Sequence, residues 1–182
     1  MADQMGKAAG ARRRLLESSY DTLAAEQWAG FDQHRQTPDA QIAAAISSGN
    51  PVAQYHACIA IGNRGRLPDK VDASAIEALL ASTYGDLAAA AAWALIKNGR
   101  GRSAPDAALT RVIKHGIWQE RLNALNLIDY LGLLAEPLLP LVRQTGEAIR
   151  ERMQSDDSLM SSERYCAEQC EVTLLIATSQ CR

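Results

Sequence analysis

Cys166 and Cys170 stand four residues apart, with Thr173, Leu174, Ala177 and Cys181 following on the same helical face. Two thiols at that spacing begin a metal site or a redox pair. Neither a histidine nor a second cysteine pair completes a tetrad, so a stripe of small apolar side chains packed on the preceding element is the preferred reading. The three histidines, His34, His56 and His115, are far apart, and no His-Glu-x-x-His or paired His-Glu step accompanies them. No metal, no cofactor and no catalytic residue is expected.

Two glycine and arginine clusters, Gly62-Asn63-Arg64-Gly65-Arg66 and Asn98-Gly99-Arg100-Gly101-Arg102, raise an anion site. Arg64, Arg66, Arg100 and Arg102 recur at equivalent places and would share one edge. A phosphate loop, however, sets its glycines before a helix N-terminus, and these follow helix ends. A glycine C-cap with cations on the negative end of the helix accounts for them as well.

These residues need elements to hold them, and the composition points to helices. The chain has 182 residues, 47% hydrophobic and 22% charged but only 5% aromatic, so Leu, Ile and Ala must fill the core. That suits close-packed helices and argues against an all-β fold. A formal net charge of −2 supplies no general attraction to nucleic acid. The longest apolar run, Leu87 to Ile96, is half of the roughly 20 residues a membrane span needs. No signal peptide is visible, so a complete chain is expected in the cytoplasm. The four cysteines do not form a disulfide framework, which leaves the redox compartment open.

Internal repetition organises the helices. Asn50 to Gly65, Tyr84 to Gly99 and Ile117 to Gly132 align on their closing glycines, with a period of about 33 to 34 residues. One column reads Ala57, Ala91, Ala124; the next Cys58, Ala92, Leu125; a third Ile61, Leu95, Ile128. These form a buried helical stripe. A shorter amphipathic helix precedes each: Thr37 to Ser48 with Pro38 near its start, Asp72 to Ser82 with Asp72 as cap, and Ser103 to His115 with Ser103 as cap. The expected fold is therefore all-α, an αα-hairpin superhelix of about three repeats, 37–66, 72–101 and 103–132. Residues 133–182 cap it with helices over Glu136–Gln154 and Ser161–Ser179, separated by a polar break at 155–158. A leading helix over 11–28 follows a loose tail of residues 1–10, so 11–182 reads as one domain.

Asn50-Pro51-Val52-Ala53 resembles the start of a HEAT-type second helix, usually Asp-Pro followed by Val-Arg. Glu120 to Gly132, continuing through Ala135-Glu136-Pro137-Leu138-Leu139-Pro140, resembles the last repeat of the HEAT-like region at the C-terminus of some bacterial sulfatases. The likeness covers roughly residues 37 to 142. Gln54 and Ala88 stand where such a helix often has Arg, and only Arg121 keeps it, so a continuous Asp-Arg ladder is not expected. Sulfatases carry a nucleophile in Cys or Ser followed by x-Pro-x-Arg, and no cysteine here has that context. The resemblance thus implies an accessory module whose catalytic domain is missing.

Second helices usually line the concave side of a HEAT solenoid. Their outer columns read His56, Ile59, Asn63; Ala90, Trp93, Lys97; and Asn123, Asn126, Tyr130. His56, Trp93, Lys97, Asn123, Asn126 and Tyr130 are accordingly expected on an accessible strip with aromatic anchors among amides. Packing of Trp93 on a neighbouring turn is the competing reading. The expected function is a non-catalytic module for protein interaction or assembly, its partner a protein or the missing catalytic domain, with a homo-oligomer left open. The alternative is a HEAT-like nucleic-acid-binding protein or DNA glycosylase, which requires a basic groove that these neutral columns do not supply.

Overall fold

The computed structural model describes residues 37–155 and 161–180. The leading helix, the tail, His34, Cys181 and most of the polar break lie outside them. Among the described residues the chain is all-helical, with no strand: α1 Asp39–Ser47, α2 Pro51–Arg64, α3 Ala73–Leu79, α4 Gly85–Lys97, α5 Ser103–His115, α6 Trp118–Leu131, a 3₁₀ segment Gly132–Leu138, α7 Leu139–Ser155 and α8 Ser161–Gln180.

Local chemistry sets these boundaries. The Asn50 side chain accepts from the backbone N–H groups of Val52 at 2.9 Å and Ala53 at 3.2 Å, with Pro51 at the first helical position. Asp72 does the same for Ser74 at 3.1 Å. At the other ends, Gly65 with φ 62° closes α2 in the left-handed region, where a side chain is strained. Gly99, φ 67°, follows α4, and the N–H of Arg100 donates back to Leu95 O at 3.0 Å, a Schellman closure. Two starts differ from expectation. Asp106 N–H donates to Arg102 O at 2.8 Å, so α5 begins one turn before Asp106 and Ser103 lies inside the helix. The helix expected from Glu136 starts instead at Leu139, because Pro137 holds the preceding residues in a 3₁₀ turn and Pro140 fits only a first turn.

Contacts gather the chain into two compact units that divide between Val112 and Ile113. In the first, α1 packs on α2, α3 on α4, and α2 on α4. α4 is its centre, with every residue from Leu87 to Ile96 buried. Gly62 of α2 makes room for the Trp93 ring of α4: a Cβ at Gly62 would fall 2.1 Å from Trp93 Cζ3. In the second unit α8 packs on both α6 and α7, and the 3₁₀ segment touches all three. Leu122, Leu125, Ile128, Val142, Ile149 and Val172 fill its core. Within Trp118–Gln154 one 18-residue stretch reaches a mean hydropathy of 1.4, apolar enough for a membrane span by length and composition. Trp118–Gln154 breaks at the Pro137 turn, and its buried apolar face fits it equally to this core.

A repeated hook closes the hairpins. Gln54 Nε2 donates to Ile46 O at 3.0 Å, and Arg121 Nε donates to Ile113 O at 2.9 Å, in each case a side chain of the second helix reaching eight residues back. The carbonyls they meet belong to the last turn of the first helix, where no intrahelical N–H remains. Ala88, the equivalent of Gln54 and Arg121, has no such donor. There Arg111 Nη2 supplies the bond to Leu80 O, 2.7 Å away.

Candidate functional site

The expected recognition strip does not survive as an accessible surface. Trp93 is only 2% exposed, and Asn123 only 8%. Ala90, grouped with them in the outward column, is fully buried. Trp93 is therefore a core side chain seated on Gly62, the competing reading of its role. His56 is exposed, its ring edge-on to Tyr55 at 5.4 Å. Lys97, Asn126 and Tyr130 are half-buried. His56 and Lys97 belong to the first unit, Asn126 and Tyr130 to the second.

The arginines of the two glycine clusters lie near carboxylates, Arg64 and Arg102 half-buried and Arg66 and Arg100 exposed. Arg64 Nη1 and Arg66 Nη1 both pair with Asp39, the latter at 3.1 Å, and Asp39 sits in the first turn of α1. The Arg66 guanidinium, with Arg64 beside it, holds the Asp39 carboxyl below its ordinary value. Arg102 Nη2 meets Asp106 Oδ1 at 3.0 Å in the first turn of α5. Asp72 is likewise held low, chiefly by the Ser74 N–H and in smaller part by Arg100. Arg64, Arg66 and Arg102 thus pair with acids at the starts of helices, and Arg100 acts on a third from nearby, which agrees with the competing reading that these side chains fasten the turns.

Among the described residues no cysteine stands at the surface. Cys58, Cys166 and Cys170 are buried, and burial pushes each thiol up to about 12. A thiol so raised is not a nucleophile at neutral pH. Cys166 Sγ donates to Trp118 O at 3.6 Å, and Cys170 lies against Gly146, as the packing reading requires. Among the described residues no group of three His, Cys, Asp or Glu is placed to hold a metal ion.

What the first unit does present is an apolar groove. Between the N-terminal turns of α2 and α4 lies a cleft of about 240 Å³ lined by Pro51, Val52, Tyr55, Tyr84, Asp86 and Leu87. Val52 and Tyr84 are 64% and 60% exposed, the values of solvent-facing residues on side chains that favour burial. Their placement follows from helix starts. Val52 is held in the first turn by the Asn50 cap, and Tyr84 stands at the cap position of α4, where its side chain makes no capping bond. A Tyr where Ser, Asn or Asp would serve better is the signal that could have pointed here. Ile117 occupies the same column and is 63% exposed. The groove's lining is apolar and aromatic but for one carboxylate, Asp86.

No family model, no curated protein and no solved structure matches this chain.

Proposed function

We propose that the chain is a non-catalytic helical-repeat module of HEAT-like αα-hairpins that binds a protein partner through the groove between Tyr55 and Tyr84. The repeat reading is supported by the hook that recurs at Ile46 and Ile113 and by the stacking of α2 on α4. The binding reading is carried by one observation: two large, exposed apolar side chains, Val52 and Tyr84, converge on a concave patch instead of being scattered. A separate sulfatase-like catalytic domain is the partner the resemblance implies. With Asp86 as the only charged residue lining it, the groove favours a protein over a nucleic acid.

Peptide display against the full chain tests this reading. Selected peptides should share an apolar or aromatic anchor, and Tyr84→Ala and Val52→Asp, both at exposed positions, should weaken their binding at least tenfold with the helical circular dichroism unchanged. Peptides that bind both variants as well as the parent chain refute it.

A further inference from the structure

The cluster Asn98-Gly99-Arg100 at the end of α4 carries a reaction of its own. Asn98 follows the last residue of the helix, and Gly99, φ 67°, turns the chain away from it. Asn-Gly is the pair in which a main-chain nitrogen most readily attacks the side-chain amide before it, because glycine has no side chain to block the approach. The pair occurs once in the 182 residues. The other two closures are Arg64-Gly65 and Leu131-Gly132, and Asn50, Asn63, Asn123 and Asn126 precede Pro, Arg, Ala and Leu. The need of the helix end for a glycine in the left-handed region has thus set a labile partner beside an amide.

The folded geometry holds the reaction off. A five-membered ring closes only if Gly99 N swings to the side of the Cα–C bond that carries Asn98 Cβ, and with ψ at 7° it eclipses the Asn98 backbone N instead. The Gly99 N–H, which must lose its proton to attack, donates to Ile96 O at 3.0 Å. The side chain is pinned as well. Asn98 is half-buried, and its Nδ2 donates to Ala94 O at 2.7 Å and, more weakly, to Ile61 O of α2 at 3.5 Å. Both neighbours are carbonyls, so the site takes the amide only with its donor side toward them. Gly99 and Arg100 are exposed, and water reaches this turn.

We propose that Asn98-Gly99 is a one-way modification site that the folded first unit protects. When the end of α4 opens, the deprotonated Gly99 N forms a bond to Asn98 Cγ, the Cγ–Nδ2 bond breaks, and the amide nitrogen leaves as ammonia. Water then adds to the cyclic imide at one carbonyl or the other, giving aspartate or isoaspartate. Neither product restores the closure. A carboxylate here turns oxygen toward Ala94 O and Ile61 O, removes the donor that joins α4 to α2, and sets negative charge on the negative end of the helix. Isoaspartate also lengthens the main chain inside the turn that ties Arg100 N to Leu95 O. Chains that have opened and converted therefore close less firmly than before.

Peptide-mapping mass spectrometry of the full chain, kept at mildly alkaline pH in buffer and in urea, tests this. In urea, conversion at residue 98 should run well ahead of that at Asn50, Asn63, Asn123 and Asn126. In the folded chain it should slow at least about tenfold, since it then draws only on the opened population. Asn98→Asp should lower the urea midpoint of unfolding further than Asn98→Ala, which removes the same donor without adding charge. Equal conversion rates in buffer and urea, no lead over the other asparagines in urea, or an Asn98→Asp variant as stable as Asn98→Ala would each overturn the assignment.

Discussion

Both units bring a glycine on one helix against a side chain of another, yet the two contacts differ in kind. At Gly62 the neighbour is the flat face of Trp93, and a Cβ would lie within 2.8 Å of three ring atoms. At Gly146 the neighbour is Cys170, whose Cβ would be 3.0 Å away and whose Sγ 3.7 Å. The first contact admits a large ring into the space a side chain would fill, and the second only draws two backbones together. A glycine inside a helix costs about 1 kcal/mol against alanine, so its presence at either place needs packing to justify it. At Gly62 the packing is worth far more than that cost; at Gly146 the two are nearly matched.

The contrast is most easily broken at the ring. Trp93→Ala should destabilise by about 3–5 kcal/mol, as removal of a large buried aromatic does, whereas a surface anchor would cost almost nothing. Gly62→Ala should cost about 1–3 kcal/mol alone and become stabilising in the Trp93→Ala background, where the added methyl has room and helix propensity prevails. Urea unfolding of the two single variants and the double variant measures this, and additive losses would show that the residues do not share one space.

The hooks compare the units in another way. Arg121→Ala should lose about 2–3 kcal/mol because a charged donor leaves Ile113 O, Gly116 O and Glu163 together, while Gln54→Ala, which strips one neutral bond, should lose about 1 kcal/mol. Equal thermal shifts for the two would deny Arg121 its wider role. Ala90→Leu and Ala91→Leu should both destabilise by about 1–3 kcal/mol, since both sites are fully buried. A neutral Ala90→Leu in the same unfolding assay would return that face of α4 to solvent. Gly146→Ala should change stability by less than about 1 kcal/mol, the propensity gain set against the tight approach to Cys170.

The smallest effect is electrostatic. Asp39 is held below its ordinary value in the folded chain, so its pairing with Arg66 and Arg64 stabilises fully above the unfolded Asp value near 3.9. That contribution fades as the pH falls through the folded value. Asp39→Asn should therefore narrow its stability gap to the parent chain as the pH drops below about 4. A gap independent of pH would assign the contact no charge character.

Helix positions were legible wherever one residue does one job at a boundary: Asp72 as a cap, Gly65 and Gly99 as closures. Facing was legible only on amphipathic helices. α4 defeats it because Leu87 to Ile96 is buried on every side, and a helix apolar all round contains no period from which to choose an outward column. The strip built on Trp93 failed at that point, although the neighbouring core columns Ala57, Ala91, Ala124 and Ile61, Leu95, Ile128 are buried as expected. The groove at Tyr84 was missed for another reason. Its residues come from two helix starts about 33 positions apart, and only the third dimension sets them side by side.

The burial of α4 also has a meaning in time. Amide protons exchange with solvent when the helix holding them opens, and openings that expose little apolar surface come first. In the first unit α1 and α3, short and buried at Ile42, Ile46 and Ile76 alone, are the elements that fray soonest. The amides of Ala88 to Leu95 have no such partial route. Their deuterium uptake follows only the opening of the whole unit, which makes this alanine segment its slowest clock.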